Sequence, residues 1–186
     1  MSAIERNEAE IFEAAILFTD IRGSSKLIKE TPPRDYFHWL NQSLSAQADH
    51  IQKYEGCVIK YTGDGMMAIF RGMGKSYLSL RCALELASTS NNHKLPFGIG
   101  VAEGLVLAGF IGDFQHTGQR QQYDVIGANV HLAARLCAMA DAGSVVTTKE
   151  VNHNARLDAP TPQSIGSVAI KGFNTEVDCV AFNAVH

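Results

Sequence analysis

Two aspartates stand where the chain changes direction. Asp20 follows the apolar run Ala14-Ala15-Ile16-Leu17-Phe18, and Asp64 sits in Gly63-Asp64-Gly65 between two β-type runs. If the first run is a strand beside one strand of that second hairpin, both carboxylates reach one end of one sheet. Paired Asp oxygens next to open backbone suit Mg2+ or Mn2+, hard cations that take oxygen ligands and keep positions free for phosphates. The glycines flanking Asp64 let the chain approach a ligand closely. The same residues suit a turn cap and an ordinary Asp-Gly hairpin, so spacing alone leaves both readings open. Cys57, Cys82, Cys137 and Cys179 are scattered, without a C-x-x-C pair, and the His and Cys residues offer no competing metal site.

The elements that must position these carboxylates follow from periodicity. Residues 14–18 read as a buried strand. Over residues 34–54 the apolar positions Phe37, Leu40, Leu44, Ala48 and Ile51 step at helical intervals, opened by Pro32-Pro33 and closed by Gly56. Residues 57–62 and 66–70 form two β runs about a tight turn. Residues 75–88 read as a second helix, with Leu78, Cys82 and Leu86 at steps of four. Residues 97–102 and 105–111 read as a second hairpin about Glu103-Gly104, followed by a Gln- and Gly-rich loop over 113–122. A short strand over 123–126, a helix from Gly127 to about Ala140, and strands over 144–148, 167–171 and 177–182 complete the chain. The order β-α-β-β-α-β predicts an α+β fold, a ferredoxin-like split βαβ sandwich with helices on one face of a mostly antiparallel sheet.

The 186 residues are 46% hydrophobic and 19% charged, which fits one packed domain and excludes disordered, collagenous and coiled-coil classes. A formal charge of −3 gives no footprint for nucleic acid or an anionic membrane. No apolar stretch approaches the roughly 20 residues of a membrane span. The polar start, with Glu5 and Glu8, is unlike a secretory signal, so the expected compartment is cytoplasmic with buried, reduced thiols. Residues 1–13 read as an N-terminal tail or short helix, and 14–186 as one domain.

Several motifs in order resemble the catalytic domain of class III nucleotide (adenylate/guanylate) cyclases. They are Phe18-Thr19-Asp20-Ile21-Arg22-Gly23-Ser24, Lys60-Tyr61-Thr62-Gly63-Asp64-Gly65 and Gly98-Ile99-Gly100-Val101-Ala102-Glu103-Gly104. Tyr123-Asp124-Val125-Ile126-Gly127 through Ala133-Ala134-Arg135-Leu136, and the closing Ile170-Lys171-Gly172-Phe173, continue the match. The resemblance runs from about Ala14 to Phe182, and the order of separate motifs makes it specific.

The resemblance implies conversion of a nucleoside triphosphate to its 3′,5′-cyclic monophosphate and pyrophosphate, by attack of the ribose 3′-hydroxyl on the α-phosphate. It implies two divalent cations, Mg2+ or Mn2+, on Asp20, Asp64 and the Ile21 carbonyl; such ions acidify an attacking hydroxyl and neutralise a leaving polyphosphate. Lys60 and Asp124 match the family's base-reading pair. A cation donating to adenine N1 and a carboxylate accepting from the N6 amine suit ATP, whereas guanine presents the opposite pattern. Arg135 matches the arginine that stabilises transition-state charge, and Lys171 a lysine on the terminal phosphates. Two positions depart from the family pattern. His131 replaces an asparagine that contacts ribose one helical turn before the arginine; His131 and Arg135, at i and i+4, share a face. Asn129 lies about 200° around the helix from His131, a poor substitute. Ser144 stands where some members carry a phosphate-binding arginine.

The resemblance also implies a head-to-tail homodimer. Asp20 and Asp64 of one chain would face Lys60, Asp124, His131, Arg135 and Lys171 of the other, giving two equal sites. The leading expectation is an adenylate cyclase that takes ATP as substrate. Alternatives are a nucleotide-binding regulatory module weakened by His131, and a cyclase with relaxed or GTP preference. A diguanylate cyclase fits less well, because the turn reads Thr62-Gly63-Asp64-Gly65-Met66 rather than Gly-Gly-Asp/Glu-Glu-Phe. Regulation by a partner, a metal, a bicarbonate-like small molecule or further segments of a longer chain stays open.

Overall fold

Strict alternation divides the first strand between two cores. Along β1 (Glu10–Ile21), Ala15, Leu17 and Ile21 pack to one side, and Ala14 and Ile16 to the other. A computed structural model describes this strand with the rest of residues 9–90, 94–112, 121–173 and 176–183. The expected loop over 113–122 lies outside the described residues except for its last two positions. The front of the chain differs from expectation: Glu10 to Glu13 continue β1 instead of forming a tail or helix.

The elements that follow are α1 (Ser24–Glu30), α2 (Pro33–Lys53), β2 (Cys57–Tyr61), β3 (Met66–Arg71), α3 (Lys75–Ser90) and β4 (Phe97–Ile111). Then come β5 (Gln122–Ile126), α4 (Ala128–Met139), β6 (Val145–Thr148), α5 (Lys149–Ala155), β7 (Gln163–Val168) and β8 (Val177–Phe182). The sheet has eight strands among the described residues, in the order β2-β3-β1-β4-β6-β8-β7, with β5 paired to β4 beside that path. Strands β2, β3, β1 and β4 are the split βαβ core, all antiparallel. Among the described residues only the β4–β6 pair is parallel.

The expectation of helices on one face holds for α2, α3 and α5 but not for α4. Helices α2, α3 and α5 cover one side, through Ile51, Leu80, Leu86 and Val151 against Leu17, Phe70, Phe97 and Ile99. Helix α4 lies on the other side, its Val130, Ala133 and Leu136 against Ile16, Met67, Ala102 and Val106. The reason is connectivity: β5 returns from the far end of β4, and the crossover to β6 passes behind the sheet.

Three further expectations are corrected. Residues 97–111 form one strand rather than a hairpin, paired with β1 without a break from Glu10↔Ala108 to Ile21↔Phe97. Gly104 serves close approach instead of a turn, since a Cβ there would overlap the Asn129 amide. On α2 the buried stripe is Tyr36, Ser43, Gln47 and Ile51, while Phe37 is exposed. Ser43 and Gln47 occupy it because they satisfy each other, Gln47 Nε2 donating to Ser43 Oγ at 3.0 Å. The strand expected over 167–171 lies earlier, at β7, which leaves Lys171 in the turn that follows. Of the four free cysteines, Cys82, Cys137 and Cys179 are buried and Cys57 is exposed.

Candidate functional site

The register of β1 against β3 brings the two aspartates together. Thr19 pairs with Met66, so Asp20 lies beside the β2–β3 turn that carries Asp64. That turn is closed by the Thr62 N–H donating to the Gly65 carbonyl at 2.9 Å. A Cβ on Gly65 would overlap the Thr19 carbonyl oxygen, so only glycine lets the turn rest against β1. The result is a pair of carboxyl groups in hydrogen-bonding reach of each other. Partial burial raises the Asp20 carboxyl above the ordinary range; Arg22 pulls it back, and the Asp64 charge and hydrogen bond push it up again.

Arg22 was quoted in the sequence only as part of a motif, yet it contacts this pair. Its Nη1 lies 3.4 Å from Asp20 Oδ2, and Nη2 donates to the Cys137 carbonyl on α4 at 2.9 Å. A cavity of about 240 Å3 runs between the strand end and α4, bounded by Phe18, Asp20, Thr62, Ala134 and Cys137. Burial pushes the Cys137 thiol up to about 12, so it is no nucleophile at neutral pH.

Lys60 and Asp124, 64 positions apart, form a direct ion pair. Lys60 Nζ donates to Asp124 Oδ1 at 2.7 Å and Oδ2 at 2.6 Å, with both side chains largely shielded. A β-bulge between Val58 and Lys60 takes Lys60 out of the normal alternation and directs it towards β5. Asp124 is fixed in turn by the Val125 N–H, which donates to Oδ1 at 2.8 Å. This is a donor and an acceptor held side by side on two different strands.

The other candidates are not gathered with these. His131 and Arg135 stand exposed on α4, and neither side chain makes a hydrogen bond or ion pair with another described residue. Asn129 packs on Gly104. Lys171 is exposed in the turn after β7 and contacts none of the other candidates among the described residues. Ile21 is buried at the end of β1, next to Asp20. Ser144 is buried.

Residues 7–183 match the adenylate and guanylate cyclase catalytic domain family. The chain belongs to that family, the class III nucleotide cyclases. A cyclase fold is equally plain in solved structures. The adenylyl cyclase CyaB from P. aeruginosa superposes with a TM-score of 0.84 at 22% identity, covering 96% of this chain and 97% of that one. The guanylyl cyclase Cya2 gives 0.81 at 23% identity over 96% and 95%. The catalytic core of a rhodopsin-guanylyl cyclase with converted specificity, in complex with ATPαS, gives 0.84 at 18% identity over 96% and 100%. These likenesses are of fold, and they include both adenylyl and guanylyl cyclases. An uncharacterized protein of Mycobacterium tuberculosis is 35% identical over 132 residues, 68% of this chain and 24% of the relative. A second is 29% identical over 170 residues, 87% of this chain and 30% of the relative. The chain therefore spans about a quarter to a third of the length of these curated relatives. No helix among the described residues is long and apolar enough to cross a membrane.

Class III cyclases generally use divalent metal ions, and the donor set of this cyclase domain fits one. Two adjacent carboxyls and a neighbouring backbone carbonyl are oxygen ligands only. Among the described residues no group of three His, Cys, Asp or Glu competes for the ion. A hard cation bound by so few protein ligands keeps coordination positions for phosphate oxygens.

Proposed function

We propose that this domain is an adenylate cyclase, converting ATP to 3′,5′-cyclic AMP and pyrophosphate at sites shared across a head-to-tail homodimer. The observation that carries the choice of ATP is the Lys60–Asp124 pair. A shielded cation beside a shielded carboxylate matches the N1 acceptor and N6 donor of adenine. Guanine, with an acceptor at O6 and a donor at N1, would leave both groups facing their like.

In the reaction the ribose O3′ forms a bond to the α-phosphorus as the bond from that phosphorus to the bridging oxygen of the β-phosphate breaks. Asp20, Asp64 and the Ile21 carbonyl would hold two divalent cations, Mg2+ or Mn2+, which would supply Lewis acidity at the hydroxyl and charge neutralisation along the polyphosphate. Lys60 and Asp124 hold the base, which fixes the sugar relative to the phosphates. Arg135 donates to the α-phosphate as its charge grows. His131, on the same face of α4, donates to the ribose, and Lys171 binds the terminal phosphates.

The dimer accounts for Arg135 and His131 being exposed and having no side-chain partner among the described residues: they meet substrate only when a second chain brings its aspartates. An apolar strip supports it. Ile11, Leu107 and Ile126 align across β1, β4 and β5, and with Leu105 they bound an open cavity of about 390 Å3. Ile11 is 70% and Leu105 61% exposed, a wide apolar surface for an isolated chain.

The deciding experiment incubates the purified protein with ATP or GTP and Mg2+ or Mn2+ and identifies products by chromatography. Cyclic AMP from ATP is the expected result. Preferential cyclic GTP formation would overturn the base reading, and nucleotide binding without a cyclic product would make the domain a regulatory module.

A further inference from the structure

Arg22 follows Asp20 by two residues, so strand geometry puts both side chains on one side of the chain. β1 ends at Ile21, but the Arg22 backbone stays fixed, its N–H donating to the Pro96 carbonyl at 2.8 Å. From there the guanidinium spans two elements. One end faces Asp20 Oδ2 at 3.4 Å, and the other donates to the Cys137 carbonyl at 2.9 Å and lies 3.4 Å from Cys137 Sγ. Cys137 is in the last turn of α4, where the helix dipole is negative; its carbonyl also accepts the Ala140 N–H at 3.0 Å, and the guanidinium takes up its second lone pair. The side chain passes over Gly98, where a Cβ would stand 2.9 Å from Arg22 Nε. That Nε is itself buried with no partner, so the pose is not the one that best satisfies the arginine.

We propose that Arg22 is a positioning residue for cation binding, clamping the Asp20 carboxylate to the last turn of α4 so that it stays in place beside Asp64. Asp20 sits at a strand end with a side chain 45% exposed, and without the clamp it is free to turn into solvent. A planar fork reaches carboxylate and carbonyl at once; lysine, a single point charge, reaches one of them. The clamp carries a positive charge beside a cation site, which alone would weaken metal binding. The helix carbonyl partly offsets that charge, and the fixed geometry outweighs the remainder. Replacing Arg22 therefore weakens cation binding, opposite to what simple charge repulsion predicts.

The test uses the full chain and free Mn2+ measured by electron paramagnetic resonance, with no turnover required. Arg22→Met is expected to raise the Mn2+ dissociation constant by about tenfold, in the range seen when groups behind metal ligands are lost. Arg22→Lys should fall between Arg22→Met and the wild type. Melting in EDTA should stay within a few degrees of wild type for both. Unchanged or tighter Mn2+ binding by Arg22→Met overturns the proposal. So does a folded variant in which Arg22→Lys binds no better than Arg22→Met.

An activity arm rests on the shared-site cyclase reading and separates clamping from general support of α4. In a mixture of Asp20→Ala and Arg135→Ala chains, the one intact site uses Asp20 from the Arg135→Ala chain. Adding Arg22→Met to that chain should reduce the recovered activity at least fivefold more than adding it to the Asp20→Ala chain. Equal losses overturn the positioning role. If the parent mixture recovers nothing, the shared-site reading fails, and Mn2+ binding still decides the role of Arg22.

Discussion

The two acidic positions of this domain are built in opposite ways. Asp124 is satisfied within its own chain: Lys60 reaches both carboxylate oxygens and the Val125 N–H takes a further contact. Asp20 faces another carboxyl, with one cation, Arg22 at 3.4 Å, to offset it. The first arrangement is a preformed donor–acceptor template that a base edge can join without rearrangement. The second is an electrostatic deficit that an added cation would fill. One fold thus holds one carboxylate in a completed pair and leaves the other pair incomplete.

The sharpest way to break this contrast is to remove the deficit. Asp20→Ala or Asp64→Ala should cut metal-dependent cyclase turnover by about a thousandfold or more, since the Lewis acid is lost with its ligand. Normal turnover in either variant would reject the cation assignment. Mixing Asp20→Ala with Arg135→Ala chains should restore activity, because one of the two mixed sites is intact. No recovery in mixed dimers shown to form would contradict sites shared between chains.

Disrupting the satisfied pair should alter selectivity more than chemistry. Lys60→Met leaves a shielded Asp124 without its cation, costing about 1–2 kcal/mol of stability for a partly buried pair. The ratio of kcat/KM for ATP over GTP should fall by about a hundredfold. A variant that loses rate equally on both nucleotides would show that Lys60 does not read the base. Lys60→Met with Asp124→Leu, which removes both charges, should be more stable than Lys60→Met alone.

His131 sharpens the comparison from the side of α4, where no described residue bonds its side chain. If it is a degraded ribose contact, His131→Asn should raise kcat several-fold, measured at saturating ATP. A fall would mean that the imidazole has a role of its own.

The sequence shows the acidic end more clearly than anything else. Asp20 follows one apolar β run and Asp64 lies in the turn between two others, and pairing those runs is enough to bring the carboxyls together. The Lys60–Asp124 contact was not legible from periodicity, because a bulge redirects Lys60; only the family resemblance pointed to it. Gly104 was misread as a turn, because in sequence a glycine that admits a side chain looks like a glycine that bends a backbone. The buried face of α2 was blurred by Ser43 and Gln47, polar residues that satisfy each other inside the stripe. Helices α1 and α5 have seven residues each, too few for a period to emerge. Arg22 was invisible as a clamp because its partner on α4 lies 115 positions away.

The smallest expected effect tests the contrast most directly. Burial and then Asp64 hold the Asp20 carboxyl above its ordinary value against the opposing pull of Arg22, so in the metal-free protein the ionised form is disfavoured by folding. A group with a raised folded pKa stabilises fully below its unfolded value, near pH 4, and that contribution is lost as pH rises through the folded value. At neutral pH, then, the charge on Asp20 works against the fold. Asp20→Asn should raise the melting temperature in EDTA by about 1–3 °C at pH 7, and by less at pH 4, where the wild-type carboxyl is already partly protonated. Asp124→Asn should do the reverse at pH 7, because it removes the charge that Lys60 binds. Scanning calorimetry of both variants in EDTA checks the pair. If both move in the same direction, the two carboxylates are not the opposites that their surroundings make them, and the acidic end is ordinary surface rather than a site shaped for a cation.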